Sequence, residues 1–292
     1  MIRQLTVIGV GLIGGSLACA LREAGEVGTV VGCGRGRPNL ERALELGVID
    51  RYSHAIEEAV QGSDLVFLAV PLGAMGDAFK AMRGHLAPGA VITDGGSAKR
   101  SVVEACRTAF GALPPGFVPG HPIAGTENSG VEAAFATLYR GRRVILTPTP
   151  ATDPAALERV ERMWRLCGAE VTRMEIAHHD EVLAATSHLP HMLAFSLVDV
   201  LARMKENDEI FRYAAGGFRD FTRIASSNPV MWKDICLANR DALGEMMERY
   251  IAEMGELAAV IRDGDGERLL EIFTRAKAAR DRYVDRITDT GE

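Results

Sequence analysis

Short apolar segments alternate with amphipathic segments along the first half of the chain. Six runs rich in Val, Ile, Leu and Phe are apolar at consecutive positions, so both faces of each would be buried. Helical spacing fills several intervals between them, as in NLERALELG (39–47) and AMGDAFKAMRGHL (74–86). This alternation predicts a parallel sheet with helices on both faces. The predicted strands are residues 5–10, 28–33, 64–70, 90–94, 117–120 and 143–148.

The pattern changes after about residue 174, where apolar residues recur every three or four positions. Helices are predicted over 180–204, with Pro190 as a local kink or break, and over 266–287. Between them, residues 229–263 predict one long helix with apolar positions on more than one face, which indicates a homodimer through the helical half. These positions are Met231, Ile235, Leu243, Met247, Ile251, Leu257 and Ile261.

Composition narrows the class of protein. The 292 residues have a net charge of -6 and are 47% hydrophobic. The absence of a Lys/Arg block argues against nucleic-acid binding, and no apolar run reaches the ~18 residues of a membrane span. Five widely spaced cysteines without a C-x-x-C pair argue against a disulfide framework and fit a reducing cytoplasm. The glycine-patterned LTVIGVGLIGGSLACAL (5–21) is a poor signal peptide.

A glycine fingerprint directly follows the first predicted strand. VIGVGLIGG places Gly9, Gly11 and Gly14 as G-x-G-x-x-G at the start of a helix within a βαβ unit. Such glycines allow a tight turn, close approach of the pyrophosphate and helix–strand packing. The fold class is therefore predicted as α/β: an N-terminal Rossmann-like, doubly wound, mostly parallel sheet that binds a dinucleotide (1–174), followed by an all-helical substrate and dimerisation domain (175–292).

The end of the second strand bears on which dinucleotide binds. An NAD site usually has Asp or Glu there to accept from the ribose 2′-hydroxyl. Here GCGRGRPN (32–39) places Gly34 at that position, and Arg35 and Arg37 follow. Guanidinium groups without a competing carboxylate suit a 2′-phosphate, so NADP is predicted over the alternative, NAD. A merely solvated basic turn is the competing interpretation.

Two loops are expected to meet over the cofactor. TDGGSAKR (93–100) follows a predicted strand, and GHPIAGTENSG (120–130) is read as a turn-rich loop without strand or helix periodicity. Loops at the carboxyl edge of such a sheet face the ligand, so Ser97 and His121 should lie near the nicotinamide. Lys99 is read as a solvated or phosphate-facing side chain, and a histidine that merely caps a turn is the simplest alternative for His121.

Two further motifs lie in the helical half. SHLPH (187–191) has two histidines but no H-E-x-x-H pattern, so no metal site is expected, and His178-His179 is read as the start of a helix. GGFRDFTRIASSNPVMW (216–232) interleaves arginines with aromatic residues. This mixture favours an anion pocket with apolar walls.

These motifs, in this order, resemble the prephenate/arogenate (cyclohexadienyl) dehydrogenase family of tyrosine biosynthesis over nearly the whole chain. The resemblance implies an NAD(P)-dependent enzyme that oxidatively decarboxylates prephenate or arogenate to 4-hydroxyphenylpyruvate or tyrosine. It also implies a stand-alone dehydrogenase, with tyrosine as a candidate feedback ligand. Neither the preferred substrate nor inhibition by tyrosine follows from the residues.

The resemblance also implies roles for individual residues. His121 accepts the hydrogen bond of the substrate's ring hydroxyl, and Ser97 orients His121 and the nicotinamide. His191 and Arg223 hold the substrate, with a carboxylate on Arg223. The other expected substrate contacts are Thr126, Glu127, Asp220 and Trp232, of which Glu127 and Asp220 form an ionic gate with nearby cations. The expected cofactor contacts are Gly9, Gly11, Leu12, Ile13, Gly14, Arg35, Arg37 and Pro71.

Two other functions compete with this one. A β-hydroxyacid or imine-type dehydrogenase also joins a dinucleotide-binding domain to helices, but it leaves HPIAGTENSG and FRDFTR unexplained. A non-catalytic dinucleotide-sensing regulator would need no pairing of His121 with Arg223. Reduction of NADP with prephenate, with a β-hydroxyacid and without substrate separates the three.

Overall fold

A six-stranded sheet lies at the centre of the first half of the chain. The computed structural model describes residues 1–126, 128–205 and 207–289. The strands of this sheet are arranged in the order β3-β2-β1-β4-β5-β6, and every neighbouring pair is parallel, as predicted. The strands are β1 (Ile2–Ile8), β2 (Val27–Cys33), β3 (Arg51–Ser53), β4 (Leu65–Leu68), β5 (Val91–Asp94) and β6 (Phe117–Val118).

Helices pack on both faces of this sheet, which confirms the doubly wound arrangement. Because side chains alternate along a strand, Phe67 of β4 enters one apolar cluster with Trp164, while Val66 and Leu68 enter a second cluster with Phe79. The helices of this half are α1 (Leu12–Glu23), α2 (Arg37–Glu45), α3 (Ile56–Ala59), α4 (Met75–Met82), α5 (Arg100–Phe110) and α6 (Pro154–Leu166).

A second, three-stranded sheet includes residues 120–122, which the sequence predicts as the start of a loop. It contains β7 (Gly120–Pro122), β8 (Arg143–Leu146) and β9 (Glu170–Arg173); β7 runs antiparallel to β8, and β9 runs parallel to it. His121 pairs with Ile145, so the prediction of a loop at His121 was wrong. Three residues are too few to show alternation, and the glycine and proline at the ends of this edge strand hide it in the sequence.

Only helices follow Arg173 among the described residues, as predicted. They are α7 (Ile176–Leu183), α8 (Leu189–Ala202), α9 (Asn207–Arg212), α10 (Gly216–Thr222), α11 (Pro229–Ala238), α12 (Arg240–Asp263) and α13 (Gly266–Asp289). A π-helical turn, Ala184–His188, joins α7 to α8 just before Pro190, so the expected local irregularity is present. Proline crowds the carbonyl four residues earlier, and a wider turn relieves that contact.

The segment 229–263 is two helices rather than the single long helix predicted. The break is at Asn239, whose backbone (φ −116°, ψ 31°) departs from helical geometry. Its buried side-chain amide donates to the carbonyl oxygen of Asp180 at 2.8 Å. The sequence pattern could not show this break, because a tertiary contact fixes it.

The chain forms two compact units, Met1–Arg240 and Asp241–Glu292. The domain boundary predicted at residue 174 stays a prediction. In the second unit, α12 and α13 leave large apolar side chains exposed, namely Met247, Ile251, Met254, Ile261, Leu270 and Phe273. Across the described ranges, no helix is both long enough and apolar enough to cross a membrane.

Candidate active site

The predicted cofactor loops lie together at the carboxyl edge of the six-stranded sheet. The glycine loop follows β1, Pro71 follows β4, and Ser97 follows β5. The amide of Gly9 donates to the carbonyl oxygen of Cys33 at the end of β2, which fixes the glycine loop against the neighbouring strand. In open α/β sheets this edge holds the ligand crevice.

The glycine loop fits a dinucleotide pyrophosphate. Gly9 has φ of +98°, and a Cβ there would overlap the carbonyl oxygen of Ala69. A Cβ on Gly14 would overlap the carbonyl oxygen of Gly9, whereas Gly11 has open space where its Cβ would point. Two glycines therefore make the loop and helix pack closely, and the third leaves room for phosphate at the N-terminus of α1.

Arg35 and Arg37, which follow β2, differ in their charged partners, although the sequence predicts the same phosphate-binding role for both. Arg37 forms an ion pair with Glu41 at 2.8 Å, and Glu41, with a smaller contribution from Tyr52, raises its pKa. Arg35 is exposed and has no ion pair to any described residue. The nearest side-chain atom to a Cβ built on Gly34 is 3.6 Å away, on Leu40, so a side chain fits there without strain.

A hydrogen-bonded chain of three side chains fixes the orientation of His121. His179 Nδ1 lies 2.8 Å from Asp180 Oδ1, and His179 Nε2 lies 2.9 Å from His121 Nδ1. A carboxylate can only accept, so His179 donates from Nδ1 and its Nε2 accepts from Nδ1–H of His121. This tautomer leaves the lone pair of His121 on Nε2, which can therefore accept a proton.

Both imidazoles in this chain are kept neutral. Burial lowers the pKa of His121 well below its usual value, and His179 and Lys99 act in the same direction. Burial also lowers the pKa of His179, although its hydrogen bond to Asp180 opposes the shift. Burial alone raises the pKa of Asp180, but hydrogen bonds from His179 and from the Lys99 and Arg100 amides outweigh it and leave the carboxyl ionised. The assigned tautomers are therefore consistent with the charges.

Lys99 stabilises the strand that carries His121. It is fully buried, and its Nζ contacts Asp94 and donates to the carbonyl oxygen of Gly120 at 2.6 Å. Asp94 also accepts from the amide of Gly120 at 3.1 Å. The expectation of a solvated or phosphate-facing Lys99 was wrong, because the ammonium is needed to neutralise a carboxylate buried at the end of β5.

His191, Trp232 and Arg223 lie together on three different elements. The rings of His191 and Trp232 stack with centroids 3.7 Å apart. The 3-10 turn that begins at Arg223 packs on α8, and Arg223 lies close enough to lower the pKa of His191, although burial is the main cause of that shift. His191 Nδ1 donates to the carbonyl oxygen of Ser187 at 2.9 Å, which leaves its Nε2 available to a ligand.

His188 of the same motif is buried beside this group. Its Nδ1 lies 3.1 Å from the amide nitrogen of Asn239, which donates, so the neutral ring carries its proton on Nε2. Burial lowers the pKa of His188 to about 4, so it is neutral at pH 7. His188 Nε2 and Trp232 Nε1 are two buried donors without an acceptor among the described residues.

The remaining predicted residues are less constrained. Ser97 is half-buried, and among the hydrogen bonds of the described residues none joins it to His121, whose Nδ1 faces His179 instead. Thr126 is exposed and accepts from the amide of Asn128 at 3.2 Å. Asp220 is exposed on α10, and Glu127 lies outside the described residues. The proposed ionic gate is therefore not tested.

His179 and Asp180 were missed as site residues by sequence reasoning. They lie near the start of α7, where the sequence predicts the start of a helix, but they also form the support behind His121. An adjacent His-Asp pair was the only signal in the sequence. Among the described residues, no group of three or more His, Cys, Asp and Glu side chains could hold a metal ion.

Comparisons with known proteins agree over both halves of the chain. The family model described as prephenate dehydrogenase, nucleotide-binding domain, matches residues 17–173, and the model for the prephenate dehydrogenase dimerization domain matches residues 175–275. The cyclohexadienyl dehydrogenase of Zymomonas mobilis is 40% identical over 281 residues, covering 95% of each chain. The prephenate dehydrogenase of Bacillus subtilis is 35% identical, covering 95% of this chain and 75% of that protein.

Solved structures give the same relationship. A prephenate dehydrogenase from Aquifex aeolicus, in complex with hydroxyphenyl propionate and NAD+, superposes with a TM-score of 0.90 at 37% identity, covering 97% of this chain and 99% of that chain. The arogenate dehydrogenase of Synechocystis superposes with a TM-score of 0.81 at 29% identity, covering 96% and 99%.

Proposed function

Since the chain belongs to the prephenate dehydrogenase family, we propose that it uses His121 as the proton acceptor of that family's reaction. The reaction is the oxidative decarboxylation of prephenate or arogenate to 4-hydroxyphenylpyruvate or tyrosine, in tyrosine biosynthesis. The hydrogen-bonded chain Asp180–His179–His121 is the observation that carries the proposal, because it leaves a neutral imidazole with its lone pair on Nε2.

The chemistry needs a base at the ring hydroxyl. The substrate carries a hydroxyl on C4 of a cyclohexadiene ring and a carboxylate on C1, and bound NAD(P)+ supplies the hydride acceptor at its nicotinamide. His121 Nε2 takes the hydroxyl proton while the C4–H bond breaks, which produces a C4 ketone. The C1–carboxylate bond then breaks, carbon dioxide leaves, and its electron pair makes the ring aromatic. The oxygen on C4 recovers a proton from His121, so the base is regenerated.

The side chains behind His121 support the proton transfer. His179 accepts the Nδ1 hydrogen of His121, and Asp180 places a negative charge behind His179. The carboxylate therefore stabilises the imidazolium that forms transiently, without itself needing to take the proton. Lys99 and Asp94 hold the backbone of Gly120 in place, so the strand that carries His121 is already positioned before the substrate binds.

Substrate recognition is assigned to the residues around Trp232. Arg223 is the proposed partner of a substrate carboxylate because a guanidinium presents two parallel hydrogen bonds. His191 and the two buried donors, His188 Nε2 and Trp232 Nε1, add hydrogen-bond partners for a substrate rich in oxygen acceptors. Ser97 is assigned to the nicotinamide alone, because His179 already orients His121. Thr126, Glu127 and Asp220 keep the roles that the family resemblance implies for them.

The proposed cofactor is NADP rather than NAD. Gly34 stands where a carboxylate would repel a 2′-phosphate, and Arg35 has no competing ion pair among the described residues. Arg37 is the weaker candidate, because Glu41 already engages it.

We further propose that the protein is a homodimer through its helical half. The dimer is supported by the match to the dimerization domain and by the exposed apolar side chains of α12 and α13. Such side chains typify surfaces that a partner covers.

One assay tests the proposed reaction. The purified protein is mixed with NADP or NAD and with prephenate, arogenate or a β-hydroxyacid, and reduction of the cofactor is followed by absorbance. The proposal predicts turnover with prephenate or arogenate, higher catalytic efficiency with NADP, and none with the β-hydroxyacid. Turnover of the β-hydroxyacid alone, or of nothing, would overturn it.

A further inference from the structure

His54 lies beside the position that selects the cofactor, although no sequence motif surrounds it. In the parallel pair β2–β3, Cys33 is in register with Ser53. Gly34 and His54 therefore follow on neighbouring strands at the same edge of the sheet. His54 Nδ1 lies 2.8 Å from the carbonyl oxygen of Gly34, so the contact joins the imidazole directly to that position.

Two contacts fix the imidazole of His54. A carbonyl oxygen only accepts, so Nδ1 carries the hydrogen and the Nε2 edge is left to the surroundings. The ring of Tyr52 packs edge-on against it, with centroids 5.5 Å apart and an interplanar angle of 69°. The side chain is exposed, and Nε2 has no hydrogen bond to any described residue. The Nε2 edge is therefore free to meet a ligand.

Two side chains at this edge, Arg35 and His54, have no carboxylate partner among the described residues. Arg37 is engaged by Glu41, and Glu58 accepts from the hydroxyl of Ser53 at 2.8 Å. Arg35, on the β2–α2 side of Gly34, and His54, on the β3 side, therefore remain available to bind an anion. A phosphate on the ribose 2′-oxygen, which sits at the end of β2 in this fold, would lie between these two groups.

We propose that His54 is a specificity-determining residue for the cofactor: with Arg35, it binds the 2′-phosphate of NADP. This inference rests on the proposed preference for NADP. The imidazole donates from Nε2 to a phosphate oxygen, and the dianion favours the protonated ring. The 2′-hydroxyl of NAD carries no charge, so His54 contributes little to its binding. The sequence reading assigned the 2′-phosphate to the arginines alone.

The test compares His54→Ala with a matched histidine elsewhere. His85 is also exposed, but it follows α4 and leads into β5, so it lies toward the opposite edge of the sheet. Calorimetry on the full chain gives Kd for NADP+ and NAD+, and for 2′,5′-ADP and 5′-AMP, which differ only in the 2′-phosphate. His54→Ala should raise Kd for NADP+ and 2′,5′-ADP about tenfold, the usual effect of losing one charged hydrogen bond. Kd for NAD+ and 5′-AMP should change less than about twofold, and His85→Ala should change none of the four.

The variant His54→Gln and the native protein show whether a failed test overturns the role of His54 or the proposed preference for NADP. His54→Gln, which can donate a hydrogen bond but cannot become charged, should recover part of the lost affinity for NADP+. If the native protein prefers NADP+ and His54→Ala keeps that preference, the assignment of His54 is wrong while the proposed preference stands. Equal losses for NADP+ and NAD+ would show only a structural role and also overturn it. If the native protein binds both cofactors equally, the proposed preference itself fails.

Discussion

His121 Nδ1 lies 2.9 Å from Nε2 of His179, and this contact determines which nitrogen of His121 keeps a free lone pair. Asp180 fixes the proton of His179 on Nδ1, so His179 can only accept from His121. The lone pair of the proposed proton acceptor is consequently placed by two residues that lie 58 and 59 positions further along the chain.

Replacing His179 tests this support. His179→Gln should lower kcat by about 10- to 100-fold, because a Gln amide can present either its oxygen or its NH2 group to His121 Nδ1 and so no longer fixes the tautomer. KM for prephenate should change little. The neighbouring His178 is exposed and does not contact His121, so His178→Gln is the matched control and should keep native kcat. Steady-state kinetics that show native kcat for both variants would remove His179 from the mechanism.

The pH profile reports the state of His121. Burial lowers its pKa well below 6.5, so the neutral base persists as the pH falls through 6.5. The acid limb of kcat/KM should accordingly lie below pH 6.5, where protonation of Nε2 abolishes proton acceptance. An acid limb at or above pH 6.5 would contradict the assigned environment of His121.

Cofactor preference should reverse at Gly34. A side chain fits there in ordinary contact with Leu40, so Gly34→Asp should lower the affinity for NADP and raise it for NAD without unfolding the loop. Arg35→Ala should raise KM for NADP about tenfold, the effect of losing a charge-assisted hydrogen bond. Arg37→Ala serves as the control, since Glu41 already engages Arg37. A larger effect at Arg37 than at Arg35 would mean that the phosphate lies elsewhere.

Arg223 should be the main anchor of the substrate. Arg223→Ala is expected to raise KM for prephenate at least about tenfold, since loss of a charged hydrogen bond to the substrate carboxylate costs about 1.5–3 kcal/mol. KM for NADP should change little, and Arg223→Lys should restore only part of the loss. Arg219, four residues earlier on α10, provides the comparison. The anchor is misassigned if Arg219→Ala is the more damaging variant or if Arg223→Ala weakens the cofactor.

Local pattern was sufficient for most of the fold. β1, β2, β4 and β5 and the helices between them are long enough to show their periodicity, and the glycine loop identified the edge that binds the cofactor. By contrast, β3 and β7 have three residues each, which is too short for a pattern. The break at Asn239 depends on a hydrogen bond to Asp180, and no local feature of the sequence encodes it.

The site was predictable only where the motif itself carries the chemistry. His121, His191 and Arg223 were predicted through motifs that resemble a known family, and their roles stay predictions. The supporting residues His179 and Lys99 were not predicted. Their contacts, with His121 and with Gly120, join segments that are far apart in the chain. The burial of Lys99 is likewise a property of the folded core, since a lysine in a loop sequence is usually exposed.

The most direct test of the mechanism is the kinetics of His121→Asn with prephenate and NADP. Asparagine fills the same strand position but cannot accept the hydroxyl proton, so kcat should fall by about 10²- to 10⁴-fold, the usual contribution of a positioned base. KM for prephenate and the affinity for NADP should remain close to native, because the residues around Trp232 and the glycine loop are untouched. A variant that keeps near-native kcat would contradict the assignment of His121 as the proton acceptor.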